Sequence, residues 1–73
     1  DEDYLVKETE NEINNAIDRL PPKRREIFKL HSEQELTYDE IANQLGLSRG
    51  TINTQMMRSL KSIKDYLSFQ GIL

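Results

Sequence analysis

Apolar residues recur along the chain at spacings of three, four or seven positions, which is the repeat of a helix with one buried face. This spacing predicts four helices, over about residues 4–20, 22–34, 38–45 and 49–67. No stretch alternates apolar and polar residues as a half-buried strand does. We therefore predict an all-α, four-helix domain without a wing. The predicted core residues are Val6, Ile13, Ala16, Ile17 and Leu20; Ile27, Phe28, Leu30 and His31; Ile41, Ala42 and Leu45; and Ile52, Met56, Leu60, Ile63 and Leu67.

The third predicted helix has a clear start signal. Thr37 stands at the position of a helix cap, and Glu40 follows three residues later, as in a capping box. Leu36 and Ile41 occupy the two positions of a hydrophobic staple, in which a residue before the cap packs against one in the first turn. The helix is therefore expected to begin immediately after Thr37.

The fourth helix repeats this signal eleven residues later. Ser48 is its predicted cap, and Leu47 and Ile52 are its staple pair. Gly46 lies between the two helices, and glycine adopts the left-handed conformation that ends a helix without a steric penalty. Two helices that are joined by a short turn, each with its own cap, are typical of a helix-turn-helix, although a plain helical hairpin gives part of the same signal.

Composition excludes several classes of function. The chain has 73 residues, no cysteine and one histidine, so we expect no disulfide, no metal site and no cofactor. No nucleophile-base pair or phosphate-binding loop is present, and we do not expect an enzyme. The absence of cysteine fits a reducing cytoplasm, where we expect this protein to be. No apolar run approaches the roughly 20 residues that span a bilayer, so we expect no membrane partner.

The net charge of −3 is unevenly distributed. Residues 1–20 carry −5, residues 21–47 carry −1, and residues 48–73 carry +3. Positive charge is thus concentrated on the fourth helix, which is the second helix of the predicted helix-turn-helix. Because phosphate contacts supply most nonspecific DNA affinity, so few cations predict weak, salt-sensitive DNA binding by this chain alone.

The face of the fourth helix opposite its apolar stripe has the chemistry of a major-groove reader. Arg58 is suited to the N7 and O6 atoms of guanine, and Asn53 to the N6 and N7 atoms of adenine. Thr54 can donate or accept a hydrogen bond, and Met57 can contact a thymine methyl group. We predict that Asn53, Thr54, Met57 and Arg58 contact bases, although ordinary solvent exposure explains any one of them equally well.

A second set of residues is predicted to contact DNA phosphates, because phosphate contacts fix a helix-turn-helix on the duplex. These residues are Thr37, Tyr38, Arg49, Thr51, Gln55, Lys61 and Lys64. A separate basic cluster, defined as Lys23, Arg24, Arg25 and Lys29, lies on the second helix. It is either a solvated surface or a contact with phosphate or a partner protein.

Three segments together resemble region four, the C-terminal domain, of bacterial sigma factors of the extracytoplasmic-function (ECF) type. They are LPPKRREIFKL at 20–30, LTYDEIANQLGLS at 36–48 and TINTQMMRSLKSIK at 51–64. The similarity covers about residues 13–67. On this interpretation residues 1–12 are the acidic end of a linker and the start of the first helix, residues 13–70 are the DNA-binding domain, and residues 71–73 are an apolar tail.

The resemblance implies several partners. Region four recognises the −35 element of promoters while bound to RNA polymerase, and its first helices engage the flap of the polymerase β subunit. An anti-sigma factor is a further expected partner, and a monomer is expected rather than a dimer. Asn53 and Gln55 differ from the arginine or lysine that is frequent in the family at these positions, whereas Arg58 matches a commonly basic position.

Two alternatives remain open from the sequence. The effector domain of a response regulator has a similar helix-turn-helix, but such domains usually dimerise on DNA. A pure protein-interaction module would use the acidic first helix and the apolar tail FQGIL to bind a partner such as an anti-sigma factor.

Overall fold

The computed structural model describes residues 2–73, with side chains from residue 8 onward. It contains α1 (Glu2–Asp18), α2 (Pro22–Ser32), α3 (Tyr38–Leu45) and α4 (Arg49–Phe69), and no strand within the described residues. The prediction of an all-α, four-helix domain with a helix-turn-helix is therefore confirmed. The expected packing of Val6 lies outside the described side chains.

Two consecutive prolines mark the boundary between α1 and α2. The chain leaves α1 in a tight turn, in which the backbone N–H of Leu20 donates to the carbonyl of Ile17 at 3.0 Å. Pro21 is extended, as expected for a residue before a proline, and Pro22 occupies the first turn of α2, where its missing N–H costs no helical hydrogen bond. This turn ends α1 two residues before the predicted position.

The link from α2 to α3 contains the one non-glycine residue with a positive φ angle in the described part of the chain, Glu35 at 58°. The N–H of Leu36 reaches back to the carbonyl of Leu30 at 3.2 Å, which reverses the chain. A residue with a Cβ atom in the left-handed region is strained. This turn, two residues before the Thr37 cap, thus stores a small conformational cost.

The caps at α3 and α4 form as predicted. The hydroxyl of Thr37 accepts from the N–H of Glu40 at 3.1 Å, and a Glu40 carboxylate oxygen accepts from the N–H of Thr37 at 2.9 Å. Ser48 caps α4 by accepting from the N–H of Thr51 at 3.1 Å. Gly46 has a φ angle of 67°, in the left-handed region, and ends α3. The joint of the helix-turn-helix is therefore encoded locally.

The core consists of two clusters that α4 connects. Ile27, Ile41 and Ile52 are completely buried in the first cluster, which joins α2, α3 and the start of α4. The second cluster joins α1 to the later part of α4 through Ala16, Ile17, Leu20, Ile63 and Leu67. Because α4 contributes to both clusters, its buried stripe fixes which of its faces remains exposed.

The prediction that Leu60 is a core residue is wrong, since its side chain is 55% exposed. Ser59 is completely buried instead, and its hydroxyl donates to the carbonyl of Gln55 at 2.8 Å. At about 100° per residue, Leu60 lies about 80° from Ile52, at one edge of the stripe. Gln55 and Tyr66, on the opposite edge, are half-buried, so the neighbouring helices cover that flank and leave Leu60 in solvent.

Two other core predictions are corrected. Ile13 is 37% exposed: it shares the face of Ala16 and Ile17 but lies one turn before them, outside the second core cluster. His31 is exposed rather than directed inward, because it lies in the last turn of α2 beside the link to α3. Its Nδ1–H donates to the carbonyl of Leu36 at 2.8 Å, and its ring meets Tyr38 edge-on at 5.1 Å. The histidine therefore holds the α2–α3 link and not the core.

The C-terminal tail folds back onto the domain. Gly71 has a φ angle of 80°, and the N–H of Ile72 donates to the carbonyl of Leu67 at 2.9 Å, as in the Schellman motif that ends helices. Ile72 packs against the second core cluster, whereas Phe69 and Leu73 are exposed. Part of the apolar tail thus covers its own core.

Candidate nucleic-acid interface

The exposed side of the first half of α4 carries all four predicted base contacts. Asn53, Thr54, Met57 and Arg58 are exposed, while Ile52 and Met56 on the opposite side are buried. The exposure that a DNA-reading role requires is therefore present. Contact with bases remains a prediction.

Two of these residues touch each other. The Asn53 amide nitrogen donates to the Met57 sulfur at 3.6 Å, one helical turn away. Met57 is 64% exposed, so its side chain is accessible from solvent. Arg58 makes no hydrogen bond or ion pair within the described part of the chain, so its guanidinium is free to bind a ligand.

The start of α4 presents polar groups on the same side. Ser48 and Thr51 share a hydrogen bond between their hydroxyl oxygens at 2.9 Å, in addition to the cap. Arg49 forms an exposed ion pair of 3.6 Å with Asp39 of α3. Exposed pairs of this kind contribute little free energy, so Arg49 can exchange Asp39 for a phosphate at small cost.

The start of α3 also contributes. Thr37 is exposed, and its hydroxyl oxygen accepts the capping-box hydrogen bond from the N–H of Glu40. The two hydrogen bonds from Thr37 hold the pKa of the Glu40 carboxyl below its usual range. Tyr38 is half-buried against the first core cluster and His31, so only part of its ring can contact DNA.

Gln55, like Tyr38, is less exposed than the other predicted phosphate contacts. It is half-buried, and its side-chain oxygen accepts from Nε of Arg24 on α2 at 3.0 Å. The oxygen of the Gln55 amide is therefore engaged in a hydrogen bond within the protein. Sequence reasoning missed this pair, because the two residues are 31 positions apart and no local pattern connects them. The basic cluster on α2 was the sequence feature that could have pointed to a role for Arg24.

The predicted phosphate contacts further along α4 are both exposed. Lys61 pairs with Asp65 at 2.9 Å, one turn later on the same helix. Lys64 carries no such pair in the described part of the chain. As with Arg49, the exposed Lys61–Asp65 pair is weak and can be replaced by a phosphate.

A comparison with known families identifies the architecture. The family described as "Sigma-70, region 4" matches residues 10–63, which include the second half of α1, all of α2 and α3, and α4 as far as Ile63. The chain belongs to the sigma-70 region 4 family. The predicted resemblance to sigma region four is thereby confirmed.

One relative refines this assignment. The region 4 chain is 33% identical over 57 residues to the ECF RNA polymerase sigma factor SigE of Mycolicibacterium smegmatis. The aligned part is 78% of this chain but 22% of that relative, so the chain spans about a fifth of the length of this sigma factor. No solved structure matches this chain.

A further surface feature of this region 4 domain lies away from the predicted base contacts. A shallow groove of about 450 Å³ between α1 and the tail is lined by Glu8, Thr9, Glu12, Gln70 and Ile72. It lies at the opposite end of α4, about 30 Å from Ser48. No cluster of three potential metal ligands occurs among the described side chains, and no described helix is long and apolar enough to cross a membrane.

Proposed function

We propose that this region 4 domain recognises the −35 element of promoters as the C-terminal domain of an ECF-type sigma factor bound to RNA polymerase. The observation that carries the proposal is the division of α4 into two faces. Ile52, Met56 and Ile63 are buried, and Asn53 and Arg58 are exposed. A helix with this division can lie in the major groove without unfolding any part of the core.

In this proposal the contacts divide into two classes. Asn53, Thr54, Met57 and Arg58 read base edges, and Arg58 binds guanine through two hydrogen bonds. The phosphate contacts come from the start of α3 and from positions along α4, and they position the domain without specifying sequence. They are Thr37, Tyr38, Arg49, Thr51, Gln55, Lys61 and Lys64.

The same proposal accounts for the low positive charge. With a net charge of −3, the domain has little attraction for DNA as a whole. A domain linked to RNA polymerase, and through it to other DNA contacts, binds at a high effective concentration and needs little affinity of its own. The polymerase β flap is the proposed anchor, and an anti-sigma factor is the proposed inhibitor.

A selection experiment tests the proposal. RNA polymerase is assembled with the longer sigma factor that contains this domain, and bound promoters are selected from a library with a randomised upstream element. We expect one upstream hexamer to be enriched and footprinted. The variant Asn53→Ala/Arg58→Ala should lose both the enrichment and the upstream footprint while still binding polymerase. An upstream footprint that is identical for this variant would contradict the proposal.

The oligomeric state separates this proposal from a response-regulator effector domain. A sigma region 4 domain needs no second copy to act, and we expect light scattering to give the mass of a monomer, 8.6 kDa, at micromolar concentration. A stable dimer, broken by replacing the exposed Phe69, would favour the alternative instead.

A further inference from the structure

Arg24 is the residue of the basic cluster that reaches α4. Its Nε–H donates to the side-chain oxygen of Gln55 at 3.0 Å, and both side chains are half-buried. This bond is the one side-chain hydrogen bond that joins α2 to α4 among the described residues. It fixes the guanidinium of Arg24 against the first half of α4.

The neighbours of Arg24 are engaged elsewhere. Lys23 lies 3.7 Å from the carboxylate of Glu26, and an Nη1–H of Arg25 donates to the carbonyl of Asp18 at 3.1 Å. Arg24 has no carboxylate partner within the described part of the chain. The acceptor of its Nε–H, the Gln55 amide, is neutral, so this bond holds the side chain in place without compensating its positive charge.

The position of Gln55 directs this charge toward the proposed DNA surface. On α4, at about 100° per residue, Gln55 lies about 60° from Ile52, between the buried stripe and the exposed residues Thr51 and Arg58. A group bound to Gln55 from α2 therefore lies beside the flank of α4 on which Thr51 and Arg58 are exposed.

We propose that Arg24 contacts a DNA phosphate from α2, and that Gln55 is the positioning residue that orients it. This inference rests on the proposed function. One of the five guanidinium N–H donors binds Gln55, and the two terminal nitrogens keep four N–H donors for two parallel bonds to phosphate oxygens. In this inference Arg24, and not Gln55, makes the phosphate contact that was predicted for Gln55. A neutral amide suits the positioning role, because a carboxylate in its place would neutralise the charge that DNA must attract.

The salt dependence of DNA binding tests the inference. The chain is titrated onto a fluorescent duplex of random sequence at several salt concentrations, since a phosphate contact does not depend on sequence. Removing one phosphate contact lowers the slope of log affinity against log salt by about 0.9. We expect this decrease for Arg24→Ala. The matched control is Arg25→Ala, which removes the same charge from the next position and should leave the slope nearly unchanged.

Variants of Gln55 test the positioning role. Gln55→Leu keeps the size of the side chain but cannot accept from Arg24, and we expect it to weaken binding by several-fold. In the background of Arg24→Ala, the same Gln55→Leu change should have no further effect, because there is no guanidinium left to orient. Full additivity of the two changes would show that Gln55 contacts DNA by itself and would overturn the positioning role.

The possible results separate the two proposals. Equal slopes for Arg24→Ala and Arg25→Ala, with native binding still salt-dependent, would overturn the role of Arg24 alone. Absence of salt-dependent binding by the native chain, repeated with assembled polymerase, would overturn the proposed function itself. Circular dichroism verifies folding, and Arg24→Gln, which keeps a polar side chain of similar length, replaces Arg24→Ala if the alanine variant is unfolded.

Discussion

Thr37 and Glu40 bind each other's backbone: the Thr37 hydroxyl accepts from the Glu40 N–H at 3.1 Å, and the Glu40 carboxylate accepts from the Thr37 N–H at 2.9 Å. This reciprocal pair starts α3 and so sets the position of the helix that precedes α4. Because the pair consists of neighbours in sequence, it forms whenever this segment folds and does not depend on distant packing.

The pair predicts a pH dependence of stability. The Thr37 hydrogen bonds lower the pKa of Glu40 in the folded chain, so the stabilisation is complete above the unfolded pKa and is lost as pH falls through the folded pKa. Glu40→Gln removes the charge at every pH. We expect urea midpoints to favour the native chain at about pH 7 and the difference to shrink by about pH 3. A difference that is constant across this range would contradict the assignment.

The joint between α3 and α4 predicts opposite effects for two glycines. Gly46 has a φ angle of 67°, so Gly46→Ala should cost about 1 to 2 kcal/mol of unfolding free energy. Gly50 lies in the first turn of α4, where an added Cβ would meet Ser48 Oγ at 3.9 Å, an ordinary contact. Gly50→Ala should therefore be neutral or stabilise by up to about 1 kcal/mol. Chemical denaturation of both variants measures this contrast.

The α2–α3 link predicts a stabilising change. Glu35 has a φ angle of 58°, and Glu35→Gly relieves the left-handed strain while increasing the freedom of the unfolded chain. We expect a net gain of about 0.5 to 1 kcal/mol. Glu33, with a φ angle of −99°, provides the control, since Glu33→Gly has no strain to relieve and should lower the urea midpoint.

A buried and an edge position of the α4 stripe predict unequal costs for truncation. Ile52 is completely buried, and Ile52→Ala should lower the unfolding free energy by about 2 to 5 kcal/mol. Leu60 is 55% exposed, so Leu60→Ala should change it by less than about 0.5 kcal/mol. A large loss for Leu60→Ala would mean that its side chain packs inside the domain after all.

Local signals predicted most of the fold. The caps at Thr37 and Ser48, the left-handed Gly46 and the break at the two prolines each depend on a few consecutive residues, and the sequence alone located them. The family match to residues 10–63 agrees with the segments that carried the resemblance. Helix ends shifted by about two residues, because turns such as the one after α1 form from backbone hydrogen bonds that no residue type specifies.

Positions at the edge of a helical face were less predictable. Periodicity placed Leu60 within the apolar arc of α4, but the helices packed against the opposite edge decide which flank is covered, and they bury Ser59 instead. The predicted burial of His31 was wrong for a similar reason, since its position at the end of α2 directs its ring to the α2–α3 link. The Arg24–Gln55 pair depends on how α2 and α4 cross, which no local pattern determines.

The affinity of one variant for two DNA sequences tests the central claim, that the exposed face of α4 reads bases. Polymerase carrying the sigma factor with Arg58→Ala is titrated against the upstream hexamer selected by the native protein and against an unrelated hexamer. We predict that binding to the selected hexamer weakens by about 1 to 3 kcal/mol, with a much smaller change for the unrelated one. An equal loss on both sequences would contradict base reading by Arg58.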